Sequence, residues 1–198
     1  MKFRNFFLNF FGIFYILISF LAFYNAVKYF SPQAILWISY FAFLILGIGM
    51  LFRDSYLIGS QINIIFFPYI VWSTDFLYHI FTSRSLWGIT DYVFQQIPYN
   101  SLIVTIQHVI ILPIAFISLY FIKFKKNNFW IFSFFEISLI FLLTRILSDP
   151  SRNINCVFKN CLPFDIALDY YSFIWLGFYI FMILIVNLFL IKIKLFEK

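Results

Sequence analysis

Two histidines and an aspartate interrupt long apolar stretches of this chain, and their spacing suggests acid–base chemistry. Asp75 and His79 are four residues apart, so they fall on one face of a helix. Ser101, Thr105 and His108 follow a four-and-three spacing, which also defines one helical face. A carboxylate can orient an imidazole that acts as a general base, and a nearby hydroxyl can then serve as a nucleophile. We predict that His108 is the base and Asp75 its orienter. Ser101 or Thr105 would supply the nucleophile or a binding group.

The same residues allow other interpretations. A hydrogen-bond knot between helices would use Asp75, His79 and His108 only to fix packing. A proton or solute pathway would use Asp75 and Glu136 as protonation sites. A metal site would have to use His79, His108 and Asp75, a minimal set without a third histidine, so neither a metal nor another cofactor is expected. Glu136 and Ser133, three residues apart, are expected to form a buried hydrogen-bonded pair.

The elements that must position these residues are membrane-spanning helices. Of the 198 residues, 64% are hydrophobic and 11% are charged, whereas soluble domains carry about 25% charged residues. Apolar runs of about 20 residues, the length that spans a bilayer, recur along the chain. The first follows Lys2 and Arg4 without a small-residue cleavage site, so we expect it to be a retained span. We predict an all-α integral membrane bundle, a single domain over residues 1–198, with six transmembrane helices at about 6–29, 33–52, 56–81, 101–122, 129–148 and 166–191.

The basic residues predict the orientation, because lysine and arginine are enriched in cytoplasmic loops. Most of the 14 would lie on the side of both termini, which places the N- and C-termini in the cytoplasm and the protein in a bacterial cell membrane. The net charge of +6 then reflects topology and attraction to anionic lipid headgroups. The basic residues form no stripe, so nucleic acid is not an expected partner. On the side of the termini lie Lys2, Arg4, Arg53, Lys123, Lys125, Lys126, Lys192, Lys194 and Lys198; on the other side lie Lys28, Arg84, Arg145, Arg152 and Lys159.

Two long polar loops, at residues 83–100 and 149–165, are expected to cover a pocket at the outer ends of the helices. With a rise of about 1.5 Å per residue, Asp75 and His108 both lie roughly 10 Å inside those ends. Polar stripes avoid lipid, so both side chains should face the interior of the bundle. We expect an outward-facing polar pocket between the third, fourth, fifth and sixth helices.

Further binding groups are expected around this pocket. Trp72 and His79 share the helical stripe of Asp75 and would contact a substrate. Arg145 and Asp149 are four residues apart at the end of the fifth helix. They would form either a local ion pair or a clamp for an anionic headgroup.

The second loop carries two asparagines and the only two cysteines of the chain. Asn153 and Asn155 would either build turns or line the site. Cys156 and Cys161 would lie on the oxidising side of the membrane, where their spacing allows a disulfide.

Four short motifs follow one another along the middle of the chain. They are W-x-x-D at Trp72–Asp75, G-x-x-D-Y-x-F at Gly88–Phe94, S-x6-H-x4-P at Ser101–Pro113 and D-P-x2-N-I-N-x-V-F at Asp149–Phe158. In these motifs the chain resembles a family of uncharacterised bacterial multi-pass membrane proteins. The last motif of that family usually reads N-I-N-W-V-F-G, whereas Cys156 and Lys159 stand here in place of the tryptophan and the glycine. The resemblance implies a multi-pass topology and supports the choice of these residues, but it implies no particular activity.

The segment from His108 to Pro113 is also similar to the helix that bears the catalytic histidine in some intramembrane lipid-ester hydrolases with a threonine nucleophile. This resemblance implies a lipid or other amphipathic substrate. We therefore expect a hydrolase or group transferase that acts at the outer leaflet, with Asp75 and His108 within hydrogen-bond reach. A small proton-coupled carrier, with a polar path past Glu136 toward Arg53, and an assembly subunit without catalysis are the alternatives.

Overall fold

The computed structural model describes residues 2–95, 98–124, 128–161 and 170–197. The helices of this part are α1 Lys2–Asn25, α2 Ile38–Phe52, α3 Ser55–Thr82, α4 Tyr99–Ile122, α5 Trp130–Leu147 and α6 Tyr171–Lys192. Short 3₁₀ or π-helical turns extend or connect several of them. The described ranges contain no strand, which confirms the predicted all-α class.

Five of the described helices are long and apolar enough to cross a membrane, namely α1 with its π-helical extension, α3, α4, α5 and α6. The remaining helix, α2, is apolar but has 15 residues. At 1.5 Å per residue it covers about 22 Å, less than the hydrocarbon core of about 30 Å. The chain thus has the long apolar helices of a membrane protein, while a sixth full span stays a prediction.

In the second predicted span, residues 33–52, the α-helix begins only at Ile38, because the residues before it are not α-helical. Pro32–Leu36 forms a 3₁₀ turn that starts with the proline. Proline lacks an N–H and fixes φ, so it suits a first turn. Trp37 then has extended backbone, with ψ at 124°, and separates this turn from α2.

The central helix of the bundle is α3. It packs against α2, α4, α5 and α6, while α1 packs against α2 and α4, and α5 packs against α6. Two groups of helices therefore meet at α3: α1, α2 and α4 form one, and α5 and α6 form the other. In the first group α1 and α2 cross closely, because a Cβ on Gly47 would lie 2.7 Å from the Gly12 carbonyl oxygen.

The bundle has two unlike ends. Residues 83–95 and 148–161, together with the turns between α1 and α2, mark the end that we call the loop end. Both described chain ends lie at the opposite end: the ring of Phe3 is 6.3 Å from that of Phe121, and the Phe124 N–H donates to the Phe196 carbonyl at 2.8 Å. The cytoplasmic placement of the termini stays a prediction.

Some predicted features lie outside the described residues. They are residues 96–97 and 162–165 of the two predicted loops, the start of the sixth span, residues 166–169, and three of the lysines used for the orientation, Lys125, Lys126 and Lys198.

Candidate functional site

A cavity of about 570 Å³ lies at the loop end. This volume falls within the roughly 300–1,000 Å³ of small-molecule sites. Its walls come from α1, α2, α3 and α4, and residues of both loops cover it. No described residue of α5 or α6 lines it, so this cavity does not coincide with the pocket predicted between the third, fourth, fifth and sixth helices, which stays a prediction. The cavity lies among α1, α2, α3 and α4. Helical periodicity shows which face of a helix is polar, but it does not show which helices are neighbours.

His108 lines this cavity from α4 and is half-buried. Its ring lies 4.7 Å from the ring of Tyr69 and 4.9 Å from that of Trp72, both tilted, and edge-on to Phe43 at 5.8 Å. The Nδ1 atom is 2.9 Å from the carbonyl oxygen of Thr105. A carbonyl only accepts hydrogen bonds, so Nδ1 must carry the proton. The neutral ring therefore keeps its lone pair on Nε2.

Asp75 does not orient His108. Its side chain is fully buried near the end of α3, and its carboxylate accepts four hydrogen bonds from the first loop. The donors are the backbone N–H groups of Leu86, Trp87 and Thr90 and the hydroxyl of Thr90, at 2.7–3.0 Å. Among the hydrogen bonds of the described residues, none joins Asp75 to His108. A carboxylate near a helix C-terminus needs donors, and the loop amides supply them in place of the imidazole.

The first loop folds back on α3 through the residues of its G-x-x-D-Y-x-F motif. Gly88 has a φ of +76°, in the region where glycine is favoured over other residues. The Trp72 indole N–H donates to the Tyr92 hydroxyl at 3.3 Å, and the ring of Phe94 stacks on that of Phe76 at 5.6 Å. Trp72 and Tyr92 also line the cavity. The motif thus has a structural explanation, and Trp72 lies where a substrate would be.

His79 lies away from the cavity lining, contrary to its predicted role in substrate binding. Its ring stacks on Phe94 at 3.7 Å. Its Nδ1 is 3.2 Å from the Ser85 hydroxyl and 3.8 Å from a carboxylate oxygen of Asp91, and Ser85 also donates to that carboxylate. His79 therefore belongs to the fold of the first loop.

The second loop uses its two asparagines differently. Asn153 has a φ of +44° and its side-chain oxygen accepts from the N–H groups of Phe158 and Lys159, each at 3.0 Å. It closes the loop on itself and also lines the cavity. Asn155 does not line the cavity. It ties the loop to α2, because its amide donates to the Leu36 carbonyl at 2.8 Å and accepts from the Ile38 N–H at 3.0 Å.

Asn155 thereby acts as a cap supplied from a distant part of the chain. Ile38 is the first residue of α2, and Trp37 before it offers no side-chain cap. Helix N-termini carry N–H groups without partners inside the helix. Beside this contact, Cys156 and Cys161 form the predicted disulfide, with 5.6 Å between their Cα atoms, and both line the cavity.

Arg145 and Asp149 do not form the predicted ion pair, and within the described ranges Arg145 contacts other groups. It donates to the Ser172 hydroxyl of α6 at 3.2 Å, and its guanidinium lies 4.8 Å from the centre of the Phe158 ring. Asp149 accepts from the Ser151 N–H at 2.8 Å, and this hydrogen bond lowers the pKa of its carboxyl. Neither residue lines the cavity. The cation that does so is Lys159, whose place the sequence pattern did not single out.

Two buried polar groups of the cavity lining are without a hydrogen-bond partner among the described residues. The Ser101 hydroxyl and the Asn25 side-chain amide nitrogen are buried and have no partner within the described part of the chain. The Thr105 hydroxyl donates to the Ser101 carbonyl at 2.8 Å, so it is already engaged. Ser101 and His108 are seven residues apart on α4, which corresponds to about 10 Å along the helix. His108 therefore does not activate the Ser101 hydroxyl by direct contact.

Glu136 and Ser133 lie far from the cavity lining and do not form the predicted pair. The Ser133 hydroxyl donates to the Ser60 carbonyl at 2.9 Å, and Glu136 accepts from the Gln61 side chain at 2.6 Å. In the described ranges, no group of three His, Cys, Asp or Glu residues is placed to hold a metal ion.

The cavity thus combines an imidazole with an available lone pair, buried polar groups without partners, and one lysine. Such a set can bind an amphipathic molecule and accept a proton from it or from water. Comparison of the chain with models of protein families, with curated proteins and with solved structures finds no match.

Proposed function

We propose that the protein is a membrane enzyme that hydrolyses, or transfers a group of, a lipid or other amphipathic substrate bound in the cavity at the loop end. His108 would be its general base. The observation that carries this proposal is the 2.9 Å contact between Nδ1 of His108 and the Thr105 carbonyl oxygen, in a ring that lines the cavity. A carbonyl oxygen only accepts, so this contact requires the proton on Nδ1 and leaves Nε2 as a lone-pair base.

Two contacts of His108 favour the charged ring that forms when a base takes up a proton, and they oppose the cost of burying that charge. When Nε2 takes a proton, Nδ1–H still donates to the Thr105 carbonyl, a contact that favours the charged ring. The rings of Tyr69 and Trp72 lie within 5 Å and present aromatic surface to the same imidazolium. Here a backbone carbonyl takes the orienting role that the sequence assigned to Asp75.

The attacking group in this proposal is water or a hydroxyl of the acceptor molecule. Ser101 is too distant from His108 along α4 to be the nucleophile, and the Thr105 hydroxyl is engaged. Nε2 would remove a proton from the attacking oxygen, which would then form a bond to the acyl or phosphoryl centre as the leaving group departs. Ser101 and Asn25 would hold polar atoms of the substrate, and Lys159 would hold an anionic part.

We place the loop end on the outer side of the bacterial cell membrane, with the termini in the cytoplasm. The distribution of basic residues supports this orientation. The disulfide between Cys156 and Cys161 supports it as well, because disulfides persist in oxidising compartments.

A carrier receives less support than an enzyme. A carrier needs a polar path that continues from the cavity toward the opposite end. The residues that follow His108 and Phe43 in that direction, such as Leu46, Met50, Ile111 and Ala115, are fully buried and apolar. A polar path along these faces of α2 and α4 is therefore interrupted below the cavity.

The test is comparative lipidomics of a strain that lacks the protein, complemented with wild type, His108→Gln or His79→Gln. The glutamine removes the base and keeps a polar side chain of similar size. We expect His108→Gln to leave the lipid profile of the deletion strain unchanged. The His79→Gln variant, altered outside the cavity, should restore the wild-type profile.

Equal profiles in the deletion strain and the wild type would contradict action on a lipid. Restoration by His108→Gln would contradict the role of His108 as base. Equal protein levels in the membrane, measured by immunoblot, are required for both comparisons.

A further inference from the structure

A second group of polar side chains lies within the bundle, where α3 meets α5 and α6. It is separate from the cavity lining, and the function proposed above does not use it. Its members are Ser60, Gln61, Asn63, Ser133, Glu136 and Asn187, which we call the inner cluster. Five of the six side chains are buried, and the carboxylate oxygen Oε1 of Glu136 is buried as well.

The hydrogen bonds of the inner cluster link the three helices. The Asn63 amide donates to the Ser133 hydroxyl and to the Asn187 side-chain oxygen, each at 3.4 Å. The Gln61 amide donates to Oε2 of Glu136 at 2.6 Å. In each of these contacts a side-chain amide of α3 is the donor.

The atoms left without a partner in the described part of the cluster are all acceptors. They are the side-chain oxygens Oε1 of Gln61, Oδ1 of Asn63 and Oε1 of Glu136. A buried polar atom without a hydrogen bond costs about 1–3 kcal/mol. An ionised Glu136 would contribute only acceptors to a cluster that already has too many. A neutral carboxylic acid contributes one O–H donor and removes part of the imbalance.

The orientation of the Gln61 amide does not alter this conclusion. If its oxygen and nitrogen were exchanged, the oxygen would lie 2.6 Å from Oε2 of Glu136. Two acceptor oxygens approach that closely only when a proton lies between them. Both orientations therefore favour a proton on Glu136.

Among the described residues, no cation forms a salt bridge with Glu136. Its carboxyl interacts with Gln61 of α3, and no salt bridge reaches it in the described ranges. The titratable group that faces it from α6 is Tyr179, whose hydroxyl is engaged in a hydrogen bond to the Ile64 carbonyl at 3.0 Å. Glu136 lies six residues from the start of α5, about 9 Å along a helix that is long and apolar enough to span a membrane. An isolated charge at such a place is costly, whereas a neutral acid is tolerated.

We propose that the inner cluster is a proton-binding site, in which Glu136 is held as a carboxylic acid and exchanges its proton with water. The proton bonds to a carboxylate oxygen, and on its release the carboxyl becomes a carboxylate with no other change in bonding. Release removes the donor that the acceptor-rich cluster needs, so the protonation state affects the packing of α5 against α3. This site does not depend on catalysis at the cavity.

The test is infrared spectroscopy of the purified full-length protein in lipid nanodiscs, titrated from acidic to alkaline pH. A protonated carboxyl has a carbonyl stretch that is distinct from the bands of carboxylates. At neutral pH we expect one such band that is absent in Glu136→Gln and retained in Glu197→Gln. Glu197 is an exposed carboxyl at the opposite end of the bundle and serves as the matched control. Raising the pH should convert the band to carboxylate absorption.

A second readout needs no substitution in the cluster. Dicyclohexylcarbodiimide, an apolar reagent, modifies protonated carboxyls in membrane interiors, and peptide mass spectrometry locates the product. We expect the product on Glu136, with a yield that falls as the pH rises. An acid band at neutral pH that persists in a folded Glu136→Gln protein would overturn the proposal. So would the absence of any acid band from the wild type at that pH.

Discussion

The substitution Asp75→Asn tests how the first loop is held against α3. The carboxylate of Asp75 accepts four hydrogen bonds, two on each oxygen. Asparagine retains one acceptor oxygen and presents an NH₂ donor at the other position. The least costly orientation places this NH₂ toward Thr90, because the Thr90 hydroxyl can rotate and accept. The backbone N–H of Thr90 is then left without a partner.

The expected magnitude follows from these bonds. One unsatisfied buried N–H costs about 1–3 kcal/mol, and hydrogen bonds to a neutral oxygen are weaker than those to a charged one by roughly 1 kcal/mol each. We expect the anchored state of the loop to lose about 3–5 kcal/mol, which corresponds to a change of about a hundredfold or more in its opening equilibrium. The helices pack through separate apolar contacts, so the bundle should stay folded.

The assay is hydrogen–deuterium exchange, read by mass spectrometry, on the purified protein in nanodiscs. Peptides that contain Leu86, Trp87 and Thr90 should exchange about a hundredfold or more faster in Asp75→Asn, in line with the change in opening. Peptides from α5 and α6 should be unaffected. The control is Asp91→Asn in the same loop, because the Asp91 side chain is 51% exposed and accepts one side-chain hydrogen bond.

An unchanged exchange rate in Asp75→Asn would refute the assignment of Asp75 as the anchor of the loop. Equal acceleration by Asp91→Asn would refute it too, because any change of loop charge would then suffice. Loss of activity without faster exchange would instead restore the catalytic role that the sequence predicts for Asp75.

Three further outcomes are expected. Asn155→Ala removes both bonds that tie the second loop to α2, and we expect a loss of about 2 kcal/mol, seen as a lower thermal unfolding midpoint in detergent. Gly47→Ala should destabilise the protein because its Cβ would meet a backbone oxygen at 2.7 Å, whereas Gly177→Ala has no atom within 4 Å and should be neutral or up to about 1 kcal/mol stabilising; equal midpoints would contradict the close crossing. Reduction of the disulfide between Cys156 and Cys161 should weaken the binding of an amphipathic ligand at the cavity, because both cysteines line it. The unfolding midpoint should fall only modestly, since a disulfide that closes such a short loop contributes about 2 kcal/mol. Unchanged affinity after complete reduction, verified by thiol mass labelling, would contradict this expectation.

Much of the helical framework could be predicted because apolar runs and helix lengths are local properties. The predicted third span, residues 56–81, differs from α3 by one residue at each end. The start of α2 could not be placed in this way, because a 3₁₀ turn after Pro32 and a cap from Asn155 decide where that helix begins. The partner in that cap lies 117 residues away in the chain. No local pattern contains such information.

In the candidate site, too, the local properties could be predicted and the contacts between distant residues could not. Periodicity correctly indicated that Asp75 and Thr105 face inward, as both are buried. It could not indicate that backbone N–H groups of the first loop, and not an imidazole, donate hydrogen bonds to Asp75. The spacing of Arg145 and Asp149 predicts an ion pair or an anion clamp, yet the cation that lines the cavity among the described residues is Lys159.

By itself, the sequence determined that this protein is helical and has long apolar spans, and it determined which polar residues interrupt them and on which helical faces. These properties follow from residue composition and from the 3.6-residue period of a single helix. The tertiary structure alone decided which helices enclose the cavity, which group each polar side chain contacts, and that His108 is oriented by a carbonyl of its own helix. The physical reason is that hydrogen bonds in a membrane interior go to whichever partner the packing brings near, and the packing around α3 depends on contacts between residues far apart in the chain.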